Sequence, residues 1–164
     1  MKPHNARGLT LLELLVGLAI LGVLGMLALP SMHGRLARER LSGAAEALAA
    51  DLADARFEAA RRGAPLHVEL ALGADWCWSV AAAPGCACGP TQSCQLKAVR
   101  SVDHPGVRLV SGRSAVLDPQ GFADSPLGAT FDGAMRESLR VDLLALGRAR
   151  VCALHGQSQR YAPC

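Results

Sequence analysis

The sequence has no strong excess of charge of either sign. Its 164 residues carry 17 basic and 14 acidic side chains, a formal net charge of +3. Lys2 and Arg7 supply two of those positives ahead of a long apolar run, and without them the side chains leave about +1. That balance excludes capture of nucleic acid by global charge and leaves only a local patch as a route. Internal repeats are missing. So are G-x-S-x-G, H-E-x-x-H and any glycine loop fit to cradle phosphates. His33, His67, His104 and His155 are scattered along the chain and read as surface or turn residues. Asp118 and Asp124 lack the spacing of a calcium loop and read as turn formers. The expectation is a protein with no catalytic residue, no cofactor and no resident metal. The six cysteines are Cys77, Cys86, Cys88, Cys94, Cys152 and Cys164, and no strong C-x2-C pattern occurs among them. Cys77, Cys86, Cys88 and Cys94 have the ligand types for zinc. An even count behind a membrane or export signal favours disulfides in an oxidising compartment. The pairing of these four stays open.

Apolar residues are what the sequence has in plenty. They make up 51% of the chain, and much of that share sits in the first thirty positions. The run MKPHNARGLTLLELLVGLAILGVLGMLALP starts basic. From Leu9 to Leu29 it is almost wholly apolar, except for Thr10 and Glu13. MLALP-SMHG is a poor cleavage box for a secretory signal peptide. The stretch from Leu14 to Leu29 makes roughly 24 Å of helix, which with its flanks spans or nearly spans a bilayer. Gly17, Gly22 and Gly25 allow close helix approach. Because Lys2 and Arg7 precede the run, the amino end is expected to stay cytoplasmic. Glu13 is the anomaly, since an acid in lipid costs roughly 2.5–3.5 kcal/mol on insertion scales. It needs a partner.

RGLTLLELL resembles the prepilin motif of type IV pilins and type II secretion pseudopilins. It has a basic leader, Gly8, an aliphatic residue, Thr10, two more aliphatics and Glu13. Leu9 stands where phenylalanine is more usual. Pro30 sits where such proteins commonly kink the helix. The resemblance implies a leader, residues 1–8, cut by a prepilin peptidase between Gly8 and Leu9, followed by N-methylation of Leu9. It also implies that Glu13 pairs with the Leu9 α-amino group of a neighbouring subunit and so sets the register of assembly.

Beyond Pro30 the pattern turns amphipathic. Leu41, Ala44, Leu48, Leu52, Ala55 and Ala59 recur at spacings of three and four, as one stripe of a helix does. Nearly all of the charged residues around it, a set that contains Asp51, read as a solvated face. Glu58 pairs with Arg62 at i+4. Gly63 and Pro65 end the helix. Four segments follow: 9–30 as membrane and filament-core helix, 31–62 as its amphipathic continuation, and 63–164 as a β-rich head, after the leader 1–8. LHVELAL, WCWSVAA, LKAVRSV, GVRLVSG and SAVLD read as short strands, with Trp76, Trp78 and Val80 on one face. DPQGFADSPLGATF reads as turn-rich. LRVDLLAL and RARVCAL read as a terminal hairpin about Gly147. The fold class is α+β, with a long helix packed on an antiparallel β head.

GRAR is the most informative piece of the head. On a strand, Arg148 and Arg150 share a face and lie about 7 Å apart, near the spacing of successive phosphates. From Gly133 to Cys164, Arg136, Arg140, Arg148, Arg150 and Arg160 stand against Glu137 and Asp142, a local +3. Two guanidinium forks on a rigid strand can clamp a nucleic-acid backbone. Binding of that kind is salt-sensitive and blind to sequence. The alternative for the arginines is a solvated face or a salt bridge to Asp142.

The helix end LAADLADARFEAARRGAPLHVEL, the tryptophans, the LDPQG turn and GRARVC are similar to FimT/GspH-like minor pilins, and the likeness lies closest to FimT. That resemblance implies a bridge between Cys152 and Cys164. FimT proteins of naturally transformable bacteria carry a C-terminal Gly-Arg-x-Arg motif that binds extracellular DNA, and Gly147, Arg148 and Arg150 match it, with Arg160, Arg140 and Arg136 as weaker helpers. The implied partners are major and minor pilins, a prepilin peptidase, the inner membrane and DNA. The implied location is the inner membrane with the head in the periplasm, then a surface pilus. Two other readings stand beside this one. The first is a structural subunit of a pilus or type II secretion pseudopilus without DNA binding. The second is a signal-anchored periplasmic protein.

Overall fold

The computed structural model describes residues 10–86, 88, 93–155 and 160–164. Among the described residues one α-helix, α1 (Leu11–Arg62), leads into eight strands, with a short 3-10 helix at Ser101–Asp103. They are β1 (Leu66–Ala71), β2 (Cys77–Ala81), β3 (Gln95–Arg100), β4 (Arg108–Ser111), β5 (Ala115–Leu117), β6 (Leu127–Asp132), β7 (Ser138–Leu143) and β8 (Ala149–His155). The chain divides into two units, Met1–Leu36 and Ala37–Cys164.

In the first unit, Thr10 opens α1. Its Oγ1 accepts the N–H of Glu13 at 3.3 Å, and its carbonyl accepts the N–H of Leu14 at 3.2 Å. Thr10 thus caps the helix by filling a donor that has no partner within it. The carboxylate of Glu13 sits in the first turn, where the helix dipole favours it. Leu11, Leu12, Leu18, Val23 and Met26 are all exposed apolar surface. Gly8 and Leu9 lie outside the described residues. Among the described residues no helix is long and apolar enough to cross a membrane. The apolar stretch from Leu11 to Met26 gives roughly 24 Å of helix against a hydrocarbon core of about 30 Å.

In the second unit, the helix stripe read from the sequence is the stripe that packs. Leu41, Ala44, Leu48, Leu52, Ala55 and Ala59 are buried. A Schellman cap ends α1: Gly63 has φ +62°, its N–H reaches Ala60 O, and Ala64 N–H reaches Ala59 O. Glu58 accepts from Arg61 and Arg62, which hold its carboxyl down at about 2.

The strands form two antiparallel sheets of four, in the orders β3-β2-β1-β5 and β4-β6-β7-β8. Trp76 and Trp78 stack at 5.5 Å with Phe131 edge-on to both, at the centre of the core. Two readings of the sequence need correction. Leu127–Asp132 is a strand, not turn, and it lies between β4 and β7. Leu127, Ala129 and Phe131 alternate inward, while Gly128 masks the pattern. Nor is Asp51 solvated. It is 2% exposed, accepts Trp78 Nε1–H at 2.8 Å and pairs with Lys97.

Candidate functional site

The β7–β8 hairpin turns at Leu144–Gly147. Gly147 N–H donates to Leu144 O at 2.8 Å, and Leu144 N–H donates to Arg148 O at 3.0 Å. Gly147 is required twice over. Its φ is +69°, and a Cβ built on it would collide with the carbonyl oxygen of Gly121. The turn is therefore seated against the loop between β5 and β6. Ala123 N–H donates to Ala145 O at 3.1 Å across that contact. Asp118 and Asp124 shape the loop, accepting from the N–H groups of Phe122 and Val116 at 2.8 Å each. The Val116 N–H, helped by Ser125, holds the Asp124 carboxyl below its usual range. Both aspartates are turn formers, as the sequence suggested.

Arg148 is the last residue of the turn and Arg150 the second of β8. By strand alternation both face away from the core, about 7 Å apart. Both are exposed. Arg148 makes no ion pair among the described residues. Arg150 does: its Nη2 lies 3.5 Å from Asp142 Oδ2, directly across the ladder. Arg140 Nε donates to the other oxygen of Asp142 at 2.6 Å. One carboxylate thus sits between two guanidinium groups. Arg140 also lies flat over Gly128, where an added Cβ would come within 2.6 Å of its Nη2. Gly128 breaks the strand pattern in the sequence because it makes room for this arginine.

The remaining two predicted arginines are elsewhere. Arg136, at φ +57°, is in the β6–β7 turn, at the other end of β7 and about 20 Å from Arg148. It borders a groove with Arg108 and Asp132. Arg160 belongs to the C-terminal tail and is paired with α1: Nη2 to Glu46 at 3.1 Å and Nη1 to Glu39 at 3.8 Å. Two arginines unforeseen in the sequence take their place at the turn. The stem of Arg56, from α1, runs against Gly121 and Gly147, with Cδ 3.1 Å from the Gly147 Cβ position. Arg113 lines a groove of about 450 Å³ together with Arg140, Asp142 and Leu144. Both are exposed and free of ion pairs among the described residues. No local signal in the sequence joins Arg56 to Arg148; only the packing of α1 on the β5–β6 loop does.

The tail is anchored to β8 and to α1. Cys152 and Cys164 are bridged, and Ala153 and Ala162 share a backbone bond of 2.9 Å. Tyr161 donates to Glu46, and its hydroxyl is pushed up to about 12 by burial and by that carboxylate. A second bridge joins Cys86 and Cys94. No group of residues able to hold a metal occurs among the described residues. The arrangement as a whole is a rigid, tethered hairpin whose tip presents cations to solvent, suited to contact with anionic oxygens.

A capped helix whose apolar residues from Leu11 to Met26 are bare, followed by an antiparallel β head, defines a type IV pilin-like protein. The sequence matches the prokaryotic N-terminal methylation motif over residues 3–29, which takes in Gly8, Leu9 and Glu13. It matches the family described as type II transport protein GspH over residues 44–147. The chain belongs to this GspH family and is a minor type IV pilin or GspH-like pseudopilin. It is 36% identical over 158 residues to pilin-like protein PilA1 of Thermus thermophilus, covering 88% of this chain and 97% of that one. Two crystal structures of the type IV minor pilin FimU of Pseudomonas aeruginosa share the fold. Their TM-scores are 0.52 and 0.54 at 17% and 18% identity. They cover 72% and 74% of this chain, and 98% and 96% of theirs.

Proposed function

We propose that this minor pilin binds extracellular DNA through the tip of its β7–β8 hairpin and serves DNA uptake in natural transformation. The observation that carries the reading is the exposed guanidinium of Arg148, without an ion pair among the described residues, on a turn clamped by Gly147, with Arg150 on the same face. Arg140 adds to it once released from Asp142, and Arg56 and Arg113 extend the cationic surface around the turn. Arg136 and Arg160 contribute only long-range charge. Contacts of this type go to phosphates, so binding ignores base sequence.

The rest of the chain delivers that tip. Residues 1–8 are a leader removed after Gly8, and Leu9 becomes the methylated amino terminus. Residues 9–30 anchor the subunit in the inner membrane and later in the filament core. Residues 31–62 carry the helix into the head, and residues 63–164 are displayed in the periplasm and then on the cell surface. Glu13 pairs with the Leu9 amine of a neighbouring pilin. A second reading has support of its own: Asp142 already occupies Arg140 and Arg150, as befits a structural subunit of a pilus or type II secretion pseudopilus.

Fluorescence anisotropy separates the two. The full chain in neutral detergent is titrated into unrelated labelled duplexes, beside an Arg148→Gln/Arg150→Gln variant. DNA uptake requires binding that is equal across duplexes and lost in the variant. Equal affinity of wild type and variant leaves the structural subunit.

A further inference from the structure

β2 is buried on both faces along its whole length, which a sheet with one face to the core does not require. Trp78 and Val80 face the core. Cys77 and Ser79 face the other way, against Cys88 and Cys86 of the loop that leaves the strand. Three contacts pin that loop. Glu69 Oε1 accepts the N–H of Gly85 at 2.7 Å, Ser79 Oγ donates to Cys86 O at 3.2 Å, and Cys77 Sγ donates to Cys88 O at 3.2 Å. Cys88 Sγ in turn lies 3.9 Å from Glu69 O. The Cys86–Cys94 bridge closes the same loop. Cys77 and Cys88 remain thiols, one buried and one half-buried, with Cys77 Sγ against the Cys88 carbonyl and the two side chains in hydrogen-bond contact.

We propose that Cys77 and Cys88 form a third disulfide, which crosses the Cys86–Cys94 bridge and seals the loop onto the outer face of β2. The inference rests on the head lying in an oxidising compartment, not on DNA binding. The step is a transfer from an external disulfide. The Cys88 thiolate attacks one sulfur of the donor disulfide and expels the first donor thiol. Cys77 gives up its proton and attacks Cys88 Sγ in the mixed disulfide, expelling the second donor thiol. Two protein thiols lose two electrons and two protons, and the donor leaves as two thiols. The order follows from burial. Cys77 is 3% exposed, and burial with the adjacent Cys88 thiol pushes its own thiol up to about 12. It is a poor nucleophile toward an outside reagent and a well-placed one toward its neighbour.

The test uses the full chain in detergent, reduced, oxidised with glutathione disulfide, denatured, alkylated and cut with chymotrypsin. Cleavage after Trp76 and Trp78 leaves Cys77 on a short peptide. The expected result is no alkylated cysteine, with the Cys77 peptide joined to residues 79–96, which carry Cys86, Cys88 and Cys94, and tandem fragmentation of that peptide placing the link at Cys88. That link persists in a Cys86→Ser/Cys94→Ser variant and disappears in Cys88→Ser. Alkylation of both Cys77 and Cys88, glutathione retained on Cys88, or Cys77 joined to Cys86 or Cys94 in the wild type overturns the proposal. In the first two cases Cys77 is simply a small buried side chain, and in the third it is bridged to another partner.

Discussion

Asp142→Asn should tighten DNA binding. The carboxylate of Asp142 holds Arg140 at 2.6 Å and Arg150 at 3.5 Å. Its side chain is 18% exposed and those of the two arginines 44% and 56%, so the pairs are partly solvated. Such pairs contribute about 0–1 kcal/mol each. Arg150 must leave Asp142 to take a phosphate, and that cost is set against binding. Asparagine keeps the shape and removes the competing charge. The gain is up to about 1 kcal/mol, roughly fivefold in affinity. If Arg140 is newly engaged once released, the slope of log K against log salt steepens by about 0.9. The assay is anisotropy of a labelled duplex with the full chain. Asp132→Asn is the control: it changes net charge equally, but Asp132 pairs with Arg108 on β4 at 3.9 Å. An Asp142→Asn variant that binds no tighter than wild type, or an equal gain from Asp132→Asn, refutes the reasoning.

Three further outcomes follow from the packing. Gly147→Ala forces a side chain into the left-handed region and onto Gly121 O, costing about 2–4 kcal/mol; an unchanged Tm contradicts this. Asp51→Ala leaves the buried N–H of Trp78 without an acceptor and should lower stability in urea by about 1–3 kcal/mol; a change near zero rules that bond out as a support. Tyr161 is the sole tyrosine of the chain, so tyrosinate absorbance reports it directly. Its folded value is raised, from 10.0 to about 12, so its contribution to stability is full below pH 10 and lost as pH rises through about 12. Glu46→Gln should move the titration down, and a wild-type titration at the ordinary value excludes the buried contact.

Much of the architecture was legible because it rests on local periodicity. The stripe from Leu41 to Ala59 needs only 3.6-residue spacing, and the Gly63 stop only the left-handed cap. The hairpin about Gly147 is visible in its flanking alternation. What the sequence hid depends on long-range packing. β6 was obscured by Gly128, whose role is to receive Arg140 from the neighbouring strand. Asp51 looks like any helix-surface acid until Trp78 and Lys97 are brought to it from β2 and β3. Arg136 and Arg160 fall near Arg148 in sequence yet end at the other end of β7 and on α1. Arg56, remote in sequence, ends beside Gly147. Proximity along the chain therefore overstated the patch in one direction and understated it in another.

The central claim is that a small set of guanidinium groups at the hairpin tip takes phosphates. The salt dependence of binding tests it most directly. The full chain and its Arg148→Gln/Arg150→Gln variant are titrated with one duplex across a range of salt. The account predicts a wild-type slope of about −2 to −3 and a loss of roughly 1.8 in the double variant, the share of two phosphate contacts. A slope that the double substitution leaves unchanged would contradict it and return the chain to a purely structural role in its filament.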